Sequence, residues 1–125
     1  CQMVKNVFAG RVAFHDGQEE IAPGVSVHLI GGHAQRLQSV RVRTARGWVV
    51  LASDAAHYYE NFEAMRPFLI VHDVEATLRG YERLVQLATS PAHVIPGHDP
   101  RVLERYPAHP GLEGIVARLD VPPLS

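Results

Sequence analysis

Three residues with metal-binding side chains in the 125-residue chain each follow a short apolar segment and a small or turn-forming residue. His33 follows two glycines, Asp54 follows a serine, and His98 follows a Pro-Gly pair. Imidazole nitrogens and carboxylate oxygens together suit Zn²⁺, Fe²⁺ or Mn²⁺. In sheets flanked by helices, sites form just outside the carboxyl ends of strands. The three positions therefore predict one shared metal site.

Taken singly, each motif also has an ordinary structural explanation. Gly-Gly-His is typical of a turn with a surface histidine, and Ser-Asp after a strand is typical of a helix cap or an Asx turn. Pro-Gly-His-Asp is the most suggestive of the three, because a constrained turn fixes where the imidazole points. Their conjunction in one short chain favours a metal site over three unrelated turns.

Hydrophobic periodicity predicts the elements that position these residues. Alternation with a period of two, or a short continuous apolar run, predicts β-strands at residues 11–14, 25–30, 39–44, 48–52 and 93–95. The segment 48–52 is apolar throughout, which is typical of a strand buried on both faces. Turns are predicted at Asp16-Gly17, Pro23-Gly24 and 45–47.

The second half of the chain has helical spacing. Asp73 can cap a helix, and apolar residues recur about every 3.6 positions over 74–88, which predicts an amphipathic helix. A helical turn is predicted over 100–106, and the proline-rich segment 107–125 is predicted to be irregular. Strands followed by helix and strand predict a mixed α/β fold. The large apolar residues predicted for the core are Phe8, Phe14, Trp48, Tyr81 and Leu84.

Composition excludes several classes of partner. Twelve Lys and Arg against thirteen Asp and Glu give a net charge of −1, which argues against a nucleic-acid partner. No apolar run approaches the length of a membrane span, and no signal peptide is visible. A single cysteine excludes an internal disulfide, so we expect a cytoplasmic protein. That cysteine, Cys1, is not expected to be a nucleophile, and a start at cysteine indicates a piece of a longer protein.

These motifs resemble the C-terminal half of the metallo-β-lactamase superfamily, and most closely its N-acyl-homoserine lactonase branch, the quorum-quenching enzymes. The resemblance covers roughly residues 10–107. It implies an αββα sandwich with a mixed sheet and flanking helices, of which residues 1–125 are one C-terminal half-domain. The residues that carry it are Gly-Gly-His33, Ala-Ser-Asp54-Ala-Ala, Tyr-Glu-Asn-Phe-Glu at 59–63, and Pro-Gly-His98-Asp.

The resemblance also implies roles for individual residues. His33 would bind a first metal, His98 a second, and Asp54 would bridge the two, usually zinc, which activate water for attack on a lactone or ester carbonyl. Lactonases of this branch have a tyrosine three residues after the aspartate that hydrogen-bonds the substrate carbonyl. Here that position is His57, and Tyr58 follows; either could donate to the carbonyl, or the two could be a surface histidine and a core tyrosine.

The residue after His98 has two interpretations. Asp99 could orient the His98 imidazole by a hydrogen bond, as carboxylates behind metal-binding histidines do. It could equally cap the turn in which it lies.

The family motif His-x-His-x-Asp-His is absent from this chain. Each metal would then have two protein ligands, whereas catalytic zinc normally has three and a water. We therefore expect the chain alone to bind metal weakly or not at all and to be inactive, with the other ligands coming from a missing N-terminal half or another chain. The alternative is a non-catalytic module that forms a homodimer through the apolar surface of a half-fold.

Overall fold

A single mixed β-sheet organises the chain in the computed structural model, which describes residues 2–124. The first four strands form an antiparallel meander, and the fifth is parallel to the fourth. Their spatial order is their order in the chain. The strands are β1 (Gln18–Ala22), β2 (Val25–Leu29), β3 (Gln38–Thr44), β4 (Gly47–Ser53) and β5 (Val94–Pro96).

Helices connect and cover the strands. The parallel pair β4 and β5 needs a crossover, and two helices lie in the connection between them. Within residues 2–124, no helix is long and apolar enough to cross a membrane. The helices are α1 (Gln2–Phe8), α2 (Tyr59–Glu63), α3 (Val74–Leu87) and α4 (Arg101–Arg105), with a 3₁₀ turn at Pro91–His93.

The two faces of β4 belong to two apolar clusters. Val50 and Ala52 pack in the cluster that includes Tyr81 and Leu84 of α3. Val49 lies in a second cluster with residues from β5, α4 and the segment after it. Successive side chains of a strand point to opposite faces, so both faces of β4 are covered. The prediction of a strand buried on both faces is confirmed, and so is the α/β class with flanking helices.

Most predicted elements agree with the structure to within about two residues, as boundaries usually do. The predicted helix 74–88 is α3, and the Asp73 side chain accepts the Ala76 N–H as its cap. The predicted strands 25–30, 39–44, 48–52 and 93–95 are β2 to β5. Helices α1 and α2 had no counterpart in the prediction.

The first predicted strand is wrong. Residues 11–14 are not in a strand, and the strand that pairs with β2 is Gln18–Ala22. The turn at Pro23-Gly24 is so tight that the residues immediately before it pair with Val25–His28 of β2, which leaves no place there for residues 11–14. The core prediction is also wrong for Phe8 and Phe14, which are 88% and 80% exposed. Cys1 lies outside the described residues.

Candidate metal centre

The ends of β4 and β5 meet, and this contact brings Asp54 next to His98. Ser53 ends β4 with a φ of 50°, a left-handed conformation that turns the chain sharply before Asp54. Gly97 packs directly on the Ser53 backbone: a Cβ at Gly97 would lie 2.5 Å from the Ser53 carbonyl oxygen. Only glycine permits this approach, so the Pro-Gly of the motif is what allows His98 to reach Asp54.

Backbone hydrogen bonds fasten the two turns together. The Gly97 N–H donates to the Ala56 carbonyl at 2.9 Å, and the His98 N–H donates to the His57 carbonyl at 3.0 Å. The loop after Asp54 and the loop after β5 therefore run side by side. The two histidines and the aspartate are held relative to one another by main-chain contacts.

The three side chains offer their ligand atoms to one point. His98 Nε2 lies 2.6 Å from Asp54 Oδ1, and His57 Nε2 lies 3.9 Å from the same oxygen. One ligand atom from each of these residues lies within 4.8 Å of the other two. Two imidazoles and a carboxylate fit zinc by their chemistry. Ligand atoms about 3.3 Å apart are expected around a tetrahedral zinc, so modest side-chain movements complete the fit.

His33 borders this cluster from the β2 side. Its turn rests on α3, because a Cβ at Gly32 would lie 2.6 Å from Thr77 Cα. His33 Nδ1 lies 2.7 Å from the Ile70 carbonyl oxygen, which only accepts, so Nδ1 donates this hydrogen bond and Nε2 is the ring nitrogen left for a metal. The His33 ring is centred 5.6 Å from the His57 ring. Its nitrogens lie outside the three-residue cluster.

The His57 ring is the most enclosed of the cluster. It stacks on Phe68, with ring centroids 3.7 Å apart and planes 12° apart, and it meets His98 edge to face at 4.6 Å. Burial, followed by the positive charge of His98, lowers the pKa of His57. A lowered pKa leaves the imidazole neutral and able to donate a lone pair at neutral pH.

The hydrogen bond from His98 lowers the pKa of Asp54, and the charges of the nearby histidines lower it further, against the opposing effect of burial. Asp54 is therefore ionised at neutral pH. An ionised carboxylate with two imidazoles beside it is a donor set that suits a cation preferring nitrogen and oxygen ligands.

Tyr58 and Asp99 lie at the edge of the cluster. Tyr58 is 43% exposed and precedes α2, and its ring lies nearly perpendicular to the His57 ring, with centroids 6.3 Å apart. Asp99 is buried, and its carboxylate accepts the Tyr59 N–H and pairs with the Arg101 guanidinium. These are the contacts expected of a residue that caps its turn, the second of the two roles predicted for Asp99. Burial opposes but does not outweigh the Arg101 hydrogen bonds, which lower the Asp99 pKa.

The sequence predicts His57 either as a donor to a substrate carbonyl or as a surface histidine, whereas in the structure its ring joins Asp54 and His98. The signal was present: an aspartate and a histidine three residues apart in a tight turn place both side chains on one side of it. Phe68, whose ring supports His57, was also missed, because it lies in an irregular segment without periodicity.

Comparison with known proteins supports the resemblance that the motifs indicate. The N-acyl homoserine lactonase of Bacillus cereus is 34% identical over 86 residues, which are 67% of this chain and 34% of that protein. No protein-family model matches. The chain thus spans about a third of the length of this relative.

Solved structures give the same family. An N-acyl homoserine lactone hydrolase with the product N-hexanoyl-L-homoserine bound at its catalytic metal centre is 33% identical, with a TM-score of 0.61 over 70% of this chain and 35% of that one. A dizinc quorum-quenching lactonase in complex with a product shares the fold at 13% identity, with a TM-score of 0.59 over 79% of this chain and 35% of its own. Over the matched part, the chain is related to the N-acyl homoserine lactonases of the metallo-β-lactamase superfamily.

Proposed function

We propose that the complete protein is a metal-dependent hydrolase of lactones or esters, and that this chain contributes part of its active site. The contact between Asp54 and His98 carries the proposal, because it joins a carboxylate and an imidazole 2.6 Å apart at two meeting strand ends. It lies in a chain related to enzymes that hydrolyse N-acyl homoserine lactones. N-Acyl homoserine lactones are therefore the first substrates to test.

In this proposal His33 would bind a first metal, His98 would bind a second, and Asp54 would be a ligand to both. Zinc fits this donor set, and Fe²⁺ or Mn²⁺ also accept it. Nε2 of His33 is not engaged by the Ile70 hydrogen bond, and the lowered pKa of Asp54 keeps its carboxylate in the ionised form that metal binding requires. When bound, a divalent ion of this kind supplies a nucleophile at neutral pH and polarises a carbonyl group.

Two side chains beside these ligands are candidates to donate a hydrogen bond to the substrate carbonyl. His57 lies against His98, and Tyr58 is the next residue, with its side chain partly exposed. A donor aimed at the oxygen on which charge develops typically contributes a factor of about 10² to 10³ in rate. Either residue would favour attack without taking part in a covalent step.

The ligands that complete two metal sites would come from outside this chain, and we expect the 125-residue chain alone to be inactive. Its single cysteine is consistent with the reducing cytoplasm as the place of action.

The test is hydrolysis of N-hexanoyl-homoserine lactone, together with zinc content, in the protein expressed from its complete reading frame. We expect His98→Ala to lose metal and at least about 10² in rate. Unchanged zinc content and rate in that variant would refute the assignment.

A second candidate function is a dimerising module without catalysis, and the exposed apolar side chains favour it. Contiguous apolar patches on a protein surface usually mark an interface. Light scattering of the 125-residue chain discriminates the two candidates: a monodisperse monomer excludes the homodimer. The most exposed of these residues are Leu69, Phe8, Phe14, Ile70 and Ile115.

A further inference from the structure

We propose that His57 is a metal ligand, and that Asp54, His57 and His98 form a three-ligand site supplied entirely by this chain. The proposal rests on the proposed function for the roles of Asp54 and His98. It adds a third ligand, at the residue that the proposed function considers as a donor to the substrate carbonyl. One carboxylate and two imidazoles, with an open fourth position, make the usual protein ligand set of a catalytic zinc.

The distances around Asp54 favour this ligand set. Asp54 Oδ1 has His98 Nε2 on one side at 2.6 Å and His57 Nε2 on the other at 3.9 Å. The separation of about 3.3 Å expected between ligands of a tetrahedral zinc lies between these two values. Zinc binding would therefore push the first pair slightly apart and draw the second pair slightly together.

The position of His57 is fixed independently of any metal. The backbone N–H of His98 donates a hydrogen bond to the His57 carbonyl oxygen at 3.0 Å. The Phe68 ring stacks on the His57 ring, with centroids 3.7 Å apart. The His57 side chain is 22% exposed, against 54% for His98. A ligand whose ring is already held loses little conformational freedom on binding, so His57 is suited to complete the site.

This ligand set changes what the 125-residue chain can bind by itself. With Asp54 and His98 alone, one metal would have two protein ligands, too few for a stable zinc site. With His57 the number rises to three. The inference therefore predicts that the 125-residue chain binds one zinc ion by itself, although it lacks the His-x-His-x-Asp-His motif.

The test is calorimetric titration of Zn²⁺ into the 125-residue chain, followed by NMR of ¹⁵N-labelled histidine rings. We expect wild type to bind one ion and the His57 ring nitrogen to shift on binding. His57→Tyr keeps an aromatic ring with a hydrogen-bond donor but removes the ring nitrogens, so the affinity of this variant for zinc should fall by at least about tenfold. His57→Gln gives the same comparison if the tyrosine variant does not fold, and exposed His109→Ala is the matched control.

Each outcome decides a different point. Wild-type affinity in both His57 variants, with loss in His98→Ala, overturns the inference and leaves the proposed ligands Asp54 and His98 intact. Wild-type affinity in His98→Ala as well overturns both. No binding by the wild-type chain overturns the inference alone, since the proposed function takes further ligands from outside. Loss in the His57 variants with unchanged His109→Ala supports it.

Discussion

The turns that carry Asp54, His57 and His98 are held by many contacts within the chain, and the N-terminal segment 2–16 is held by few. At the cluster, main-chain hydrogen bonds join the loops after β4 and β5, and Gly97 packs against Ser53. In the N-terminal segment, α1 has no buried residue, and Phe8 and Phe14 face outward. Contacts within the chain thus determine the geometry of the cluster, whereas they do little to hold the segment. Substitutions in the two regions should differ accordingly.

The largest effect on stability is expected in the apolar core. Leu84 lies on α3 and is fully buried in the cluster that includes Val50 and Ala52 of β4, so Leu84→Ala should lower the free energy of unfolding by about 3 kcal/mol through lost burial and a residual cavity. Urea denaturation measures this. A loss below about 1 kcal/mol would show that α3 is not packed on the sheet as described.

The close approach of β4 and β5 gives the next effect. Gly97→Ala places a methyl group 2.5 Å from the Ser53 carbonyl oxygen, and forcing these strand ends apart should cost about 2 kcal/mol. Zinc affinity should fall with it, since Asp54 and His98 separate. Gly10→Asn is the control, because nothing lies within 4 Å there and asparagine tolerates the positive φ. Equal losses of stability in Gly97→Ala and Gly10→Asn would contradict the difference drawn between the strand ends and the N-terminal segment.

A smaller effect is expected at the start of α3, which supports the His33 turn. Asp73→Ala removes the side-chain acceptor of the Ala76 N–H and should cost about 1 kcal/mol. Asp73→Ser keeps a capping oxygen and should retain most of the stability. Thermal unfolding of the three proteins checks this, and equal melting temperatures for wild type and Asp73→Ala would contradict the cap.

The smallest effect is expected in the N-terminal segment. Phe8→Ala should change the free energy of unfolding of the 125-residue chain by less than about 0.5 kcal/mol, because the ring is 88% exposed. The matched variant is Phe62→Ala. Phe62 is buried in the apolar cluster that contains Tyr81 and Leu84, so this change should lower the free energy of unfolding by about 3 kcal/mol. A large loss from Phe8→Ala would mean that the segment packs on the chain after all.

The same contrast explains how far the sequence predicts the structure. Strands β2 and β3 and helix α3 are predictable because periodic apolar residues follow one face, as they do in Val74–Leu87, and β4 and β5 are predictable because they are short continuous apolar runs. Phe8 and Phe14 were assigned to the core from residue type alone, and type does not reveal whether anything in the chain covers a side chain. Strand β1 (Gln18–Ala22) is exposed at every position, so it has no alternation to detect.

The candidate site was predictable in part for a related reason. Asp54 and His98 follow strands whose ends meet, and the turn residues before them revealed both positions. The proximity of His57 depends on the hydrogen bond between the loops and on Phe68, two contacts between segments distant in sequence. Local patterns carry no signal for such contacts.

The most direct test of the account is a crystal structure of the zinc-soaked 125-residue chain with anomalous data collected at the zinc edge. We expect one peak about 2.0–2.2 Å from an Asp54 carboxylate oxygen and from Nε2 of His57 and His98. A peak bound by other residues, or no peak at these three in crystals that contain zinc elsewhere, would contradict it.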